Sequence, residues 1–339
     1  MIKRRDFLSG IVATGFVFAG GYPAANVFDT LSERNSSRSI NRYPVYVNGK
    51  GGYIDETGKI VIKPQFDKAY KFSESLAAIR MKNKYGYIDH TGKIIILPQF
   101  SYATEFSEGL ANVFIKATPC FIDKNGDVVF ENPRQISKFS EGLARINVDC
   151  SVGFIDKTGR IAITPSFEKA SDFKEGLAAI KFMDDWGYID KRGMSVISSR
   201  FDRVSSFSDG LAVFYEIDKH TGVGQSGYID RYGRVVIEPK FRFALDFSEG
   251  LAAVSGGYID WNGKLVINRD FESYGSFSNG LAVMEIGGKH GYINRAGDIV
   301  IAPMFDEADK FYGNLAQVVV GDKIGYINKI GKFVWEPRN

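Results

Sequence analysis

Short bursts of apolar residues, separated by glycine-rich polar breaks, run from about residue 43 to residue 337, and the bursts recur. In the stretch SDFKEGLAAIKFMDDWGYIDKRG, which opens at Ser171, the apolar positions fall in Leu177–Lys181 and Gly187–Asp190, and Met194–Ile197 follows. Each segment is short, rich in β-branched and aromatic residues and bounded by turn chemistry, so each is expected to be a strand. Taking the aromatic of the Gly-(Tyr/Phe)-Ile-(Asp/Asn) phrase as a marker gives Tyr53, Tyr87, Phe121, Phe154, Tyr188, Tyr228, Tyr258, Tyr292 and Tyr326, with steps of 34, 34, 33, 34, 40, 30, 34 and 34 residues. A fixed period of this size is the mark of a repeat architecture.

Two turns punctuate every copy. Asp-x-x-Gly recurs at Asp55, Asp89, Asp123, Asp156, Asp190, Asp230 and Asp260, with Asn294 and Asn328 in the last two copies. An Asp or Asn opening a type I turn accepts a backbone hydrogen bond two residues on, and the glycine takes the left-handed conformation of a bulged hairpin. The Phe-Ser-Glu-Gly-Leu-Ala phrase carries a glycine at 109, 142, 176, 210, 250 and 280, with Ser75 breaking the pattern and Asn314 standing in the last copy. Phe66, Ala69 and Phe72 are spaced by three, which predicts a short helical turn between one meander and the next. Length changes concentrate in one hairpin, at Asp218–Ser226 and Ser255–Gly257, and the third copy is irregular around Glu131–Ile136, where Pro133 takes the Phe position.

A lone three-stranded sheet cannot cover both of its faces, so stability has to come from stacking neighbours. The expected architecture is all-β: a tandem array of about nine three-stranded β-meander repeats of about 34 residues, stacked as an open, twisted, solenoid-like array. Whole units at both ends, Val45–Val47 and Phe333–Trp335, leave no spare strand to fasten the last unit to the first, and the alternative is a closed propeller-like ring.

The phrase Gly-(Tyr/Phe)-Ile-Asp, followed by Gly-(Lys/Arg)-x-Val-Ile-x-Pro-x-Phe-(Asp/Glu)-x-Ala-x-x-Phe-Ser-Glu-Gly-Leu-Ala, closely resembles the bacterial WG-repeat (KWG) proteins over about Tyr43–Pro337. The Trp-Gly pair itself survives at Trp186-Gly187, while the aromatic slot elsewhere holds Tyr85, His290, Ile324 or a small residue. The resemblance implies a β-repeat scaffold, often exported or joined to other domains, and transfers no catalytic residue.

The N-terminal residues change the picture of where the protein works. Lys3, Arg4 and Arg5 precede a short, glycine-diluted apolar stretch and small residues at Pro23–Ala25, the layout of an export signal, with Arg4, Arg5, Phe7 and Leu8 resembling a twin-arginine motif. The expected organisation is therefore an export signal over 1–25, a Ser/Asn/Arg-rich linker over 26–42 and the repeat domain over 43–337, with no integral membrane span in the mature chain. The destination is the periplasm or the extracellular side of a bacterial cell envelope.

Composition narrows the chemistry. The 339 residues carry a net charge of +3, too small for the concentrated basic footprint of a nucleic-acid binder. The three histidines, His90, His220 and His290, sit in different repeats without metal-ligand spacing, and no cofactor or metal is expected. No phosphate loop, dinucleotide fingerprint or nucleophile elbow is present. Carboxylates that recur in most copies read as scaffold, whereas a glycosidase pair is a single special site. Cys120 and Cys150, in adjacent repeats, are candidates for a disulfide in an oxidising compartment.

Two readings of the surface remain. The tips carry Lys59, Lys93, Lys124, Lys157, Lys191, Arg231, Arg295 and Lys332 among other cations, and the glutamates 74, 108, 141, 175 and 249 are expected on the opposite edge, giving a basic and an acidic stripe. Adjacent tips also present Tyr232 and Trp261 beside Arg231 and Arg234, residue types that anchor binding sites. The function expected is a non-enzymatic exported scaffold that binds protein or envelope glycan. The alternative is an enzyme, or an accessory subunit of one, acting on cell-wall or polysaccharide substrates.

Overall fold

A computed structural model describes residues 41–131, 136–217 and 221–338. The export-signal residues Arg4, Arg5, Phe7 and Leu8, the segment 1–40, Pro133 and His220 lie outside the described residues.

The described residues form nine antiparallel sheets and no helix. In the first sheet β1 (Tyr43–Val47), β2 (Lys50–Ile54) and β3 (Ile60–Phe66) follow one another, and in the second β4 (Lys68–Ser73), β5 (Leu76–Met81), β6 (Lys84–Ile88) and β7 (Ile94–Phe100) do the same. The segment expected to be a helical turn is thus a fourth strand. Its spacing of three arises from a register irregularity between Ala69 and Phe72 in the pairing of β4 with β5. The extra residue restores both apolar side chains to the buried side, where a regular strand would turn one of them outward. The same segment pairs more briefly elsewhere, for example through the bridges Ala103↔Val113, Ile136↔Ile146 and Ala244↔Val254.

The sheets are blades of a closed ring, which corrects the open array. Neighbouring sheets share one buried cluster each, and a further cluster of Tyr43, Val45, Ile54, Leu315, Tyr326 and Trp335 joins the ninth blade to the first. Tyr43 donates its hydroxyl to the Tyr312 carbonyl at 2.9 Å, and Tyr326 donates to the Pro44 carbonyl at 2.9 Å. No strand is exchanged across this seam: β1 to β3 and the last sheet, Glu307–Arg338, stay separate. Closure needs only two complementary faces. An open stack would return them to water, at roughly 1.5–3 kcal/mol for each fully buried aliphatic side chain such as Ile54 or Leu315.

Inside each blade the second and third strands carry the core. The marker tyrosine is buried, as are the Leu-Ala pair and the Ile beside it. Its hydroxyl donates to a carbonyl of the next blade, 17 residues on, as from Tyr53 to Tyr70, Tyr87 to Thr104 and Tyr188 to Ser205, at 2.7–2.8 Å. The preceding glycine is a close-approach residue: a Cβ on Gly86 would lie 2.5 Å from the Ile96 carbonyl, because the following strand bulges inward at Pro98. Both turns are as expected. Asp55 Oδ1 accepts from the Thr57 and Lys59 amides, and Gly58 sits at φ +84°.

Candidate functional site

Two regions could engage other molecules, and both are set by strand direction. The second strand begins just after the Phe-Ser-Glu-Gly turn, and the third ends at the Asp-x-x-Gly turn. Two antiparallel strands joined by one hairpin put those ends together, so both turns lie on the same face of the ring. The expected separation into basic and acidic stripes is therefore wrong. Lys124 pairs with Glu74, Lys157 with Glu108 and Lys191 with Glu141, each at 3.1 Å.

These glutamates also bond backbone across the blade junction. Gly109 donates to Glu74 at 2.9 Å, and the Glu108 amide donates to the same carboxylate; Gly142 donates to Glu108 at 2.8 Å and Gly176 to Glu141 at 2.9 Å. Partial burial alone would raise the Glu74 carboxyl, but the Lys124 ammonium and the two amides outweigh it and hold the group below the ordinary carboxylate range. Glu108 is held down in the same sense, against burial, by the Gly142 amide and Lys157. The seam changes the chemistry: Gly313 stands at the glutamate position, and the neighbouring Asn314, at the glycine position, donates to Glu56, which occupies the lysine position, at 2.8 Å. In the last copy the glutamate position keeps its positive φ, on Gly313 at +61°, while Asn314, expected to carry one at the glycine position, does not.

Tyr232 and Trp261 stand on this face, at the tips of the sixth and seventh blades, 77% and 53% exposed. Arg234 lies over the Tyr232 ring at 5.2 Å and bonds Asp230 at 2.6 Å. Arg231 reaches back to the Glu175 carbonyl at 2.6 Å. Trp261 takes the position that holds Lys124, Lys157 or Lys191 in earlier blades, and its ring edge lies against Gly250. All four residues therefore share one side of the ring, with the arginines engaged by the scaffold and the two rings turned outward.

The second region is a cavity of about 750 Å³ at the seam. Its walls come from the ninth, first, second and third blades: Tyr326 and Gln317, then Pro44 and Tyr46, then Tyr70 and Lys71, then Ala103 and Glu105. Residues of four successive blades converge on one cavity only toward the ring axis, so the strands carrying Tyr70 and Glu105 line the inside of the ring. Gly49 and Asp322, at hairpin tips opposite the turn face, border it as well. Tyr46 bonds the Ala69 backbone, accepting from its amide at 3.1 Å. Tyr70 and Tyr85 hydroxyls meet at 3.4 Å, and burial together with that contact pushes the Tyr70 phenol up to about 12.

Sequence reading passes over this cavity because its walls are variable positions that only ring closure gathers. A signal was available: the first copy lacks a Phe-Ser-Glu-Gly-Leu-Ala phrase ahead of Tyr43 and places Pro44 inside its first strand. Cys120 and Cys150 are free thiols, the first buried in a central strand and the second exposed at a hairpin tip, so the expected disulfide is not formed. His90 stacks on Phe72 with centroids 4.4 Å apart, and His290 bonds the Asp306 carbonyl at 2.9 Å. No helix among the described residues is long and apolar enough to cross a membrane.

Seven segments match the family model described as WG containing repeat: residues 52–85, 85–116, 153–184, 186–216, 227–255, 257–289 and 291–323. No curated protein matches the chain. Among solved structures, the crystal structure of a eukaryotic initiation factor is similar over 88% of this chain and 96% of that one, with a TM-score of 0.61 and 12% identity. Kluyveromyces lactis Hsv2 is similar over 76% and 91%, with a TM-score of 0.36 and 9% identity. At such identities the first likeness concerns the fold alone.

Proposed function

The chain belongs to the WG-containing repeat family, its repeats matched over more than half of its length, and from that premise we propose that it is a non-enzymatic scaffold that binds protein or glycan in the bacterial cell envelope. The observation that carries this reading is the pair of outward-facing rings, Tyr232 and Trp261, on a face whose repeated charges are engaged with one another. Rigid aromatic side chains lose little entropy on contact and supply a large apolar area, which suits them as anchors. Export rests on the signal-like residues Arg4, Arg5, Phe7 and Leu8.

The test is retention of envelope components, both isolated cell-wall glycan and envelope proteins, on the immobilised full chain and on Trp261→Ala and Tyr232→Ala. Each substitution is expected to reduce retention at least tenfold with the fold unchanged. Equal retention by all three removes the anchor.

The second reading, an accessory or hydrolytic role on envelope polysaccharide, is favoured by one observation. Glu105 and Asp322 border the same seam cavity, and glycoside hydrolysis needs two carboxyl groups about one bond. Release of reducing ends from cell-wall glycan by the wild type, lost in Glu105→Gln, would support it.

A further inference from the structure

Among the described residues the first blade differs from the other eight in having no segment, whether strand or single bridge, paired on the axis side of its second-strand equivalent. In those eight, the residue corresponding to Pro44 is served by the inner segment. In four of them its amide donates to an inner hydroxyl, from Asn112 to Thr104, Arg145 to Ser137, Ala179 to Ser171 and Val213 to Ser205, at 2.9–3.0 Å. Its carbonyl accepts from the inner backbone, as Ala179 does from Ser171 at 2.8 Å. Pro44 has no amide hydrogen to be served, and its carbonyl accepts from Tyr326 instead. The aromatic that the inner segment lays on the preceding blade's tyrosine, as Phe106 does on Tyr87, is supplied here by Tyr43 on Tyr326, centroids 5.7 Å apart. The first blade thus holds together with no described residue paired on its inner edge.

That edge still offers backbone. Val47 and Lys50 flank a two-residue turn and pair directly, so Tyr46, one residue back, directs its amide and carbonyl away from β2. The corresponding Arg80 uses its carbonyl there to accept from the Asp67 amide at 2.7 Å. The edge borders the seam cavity, whose rim holds Glu105 and Asp322 with Lys71; Lys71 also faces Asp309 at 3.8 Å and Lys138 faces Glu105 at 3.9 Å, which leaves three carboxylates to two ammonium groups.

We propose that β1 is a docking edge for an extended, basic peptide segment of a partner protein, which adds to the first blade as its inner strand. The eight sibling blades show that this position takes an extended backbone, and the acidic excess on the rim selects a cationic one. The chain's own residues 34–39, Arg-Asn-Ser-Ser-Arg-Ser, lack the apolar residues that sibling inner strands carry at the Ala69 and Phe72 positions. This proposal does not depend on the Tyr232 and Trp261 reading, which concerns the other face of the ring.

The probe is a fluorescent pentapeptide copying Asp67–Lys71, with two lysines and without the bulky Phe72 whose place Tyr43 fills. Titrated into the full chain, it is expected to bind saturably and to slow hydrogen exchange at the Tyr46 amide. N-methylation of the acetylated peptide at its first residue, whose amide would serve the Tyr46 carbonyl as that of Asp67 serves Arg80, is expected to weaken binding at least tenfold, and methylation at its third residue to leave binding within twofold. Ala103→Trp, which narrows the cavity without touching β1, is expected to weaken binding with an unchanged circular dichroism spectrum and melting midpoint. The proposal is overturned by absence of binding to the full chain, including absence because the chain's own leader or a second copy covers the edge. Equal binding of the two methylated peptides, or of a scrambled pentapeptide, overturns it too.

Discussion

Serine 75 shows how strictly a single position can be specified. It stands where six copies carry glycine, and it adopts φ +75° all the same. A side chain in the left-handed region costs about 1–2 kcal/mol, because Cβ crowds the carbonyl oxygen. The turn keeps its shape because Glu74, inside it, is bonded across the blade junction to Gly109 and Lys124. Ser75→Gly is therefore expected to stabilise the ring by about 1 kcal/mol, read as a higher urea midpoint at unchanged slope. Position 75 is legible from sequence alone, since turn chemistry is local and the copies act as one another's controls. The bonds of Glu74 to the next blade are not, since they depend on partners 34 to 50 residues away.

Among the elements, the turns carry an acid sensitivity. The carboxyls of Asp55 and Asp89 sit below the ordinary range: slight burial opposes this, but the threonine hydroxyl and two amides of each turn prevail. Glu74 and Glu108 are depressed as well. A depressed carboxyl contributes stability that is present above its unfolded pKa and lost as pH falls through the folded value. His90 adds an earlier loss. Burial, helped by Arg42, lowers its pKa, so the fold holds it neutral and is penalised once pH drops below the unfolded value near 6.5. Stability measured by denaturant titration is expected to decline in two stages, from about pH 6.5 and again below about pH 4. His90→Phe is expected to abolish the first stage alone; a first stage that persists in that variant refutes the assignment. At this scale the sequence misleads in one instructive place. The spacing of Phe66, Ala69 and Phe72 imitates a helix because a β-irregularity shifts strand parity by one. The hairpin argument that puts both turns on one face, by contrast, follows from strand order, and the expected charge stripes overlooked it.

For the molecule as a whole, the ring-or-stack question depends on the angle between successive blades, which no single repeat encodes. Nine copies are readable along the chain, but whether the ninth meets the first is decided by small rotations summed around the ring. The seam residues identify themselves only afterwards, as departures from the pattern: Pro44, Glu56, Asn314 and Trp335. Trp335→Ala is expected to cost about 3–5 kcal/mol at the seam and to enlarge the radius of gyration in small-angle scattering. Phe207→Ala, within the junction of the fifth and sixth blades, is expected to lower stability without that expansion. Equal expansion in both variants would mean that the seam is no weaker than any other junction.

Because the first and last blades meet without sharing a strand, the backbone can be cut elsewhere as readily as it is cut at this seam. A variant whose old ends are tethered and whose new ends fall in the long hairpin near Gly222 should assemble the same circle. The nascent chain, by the same reasoning, has no means of completing that circle until its final repeat has left the ribosome.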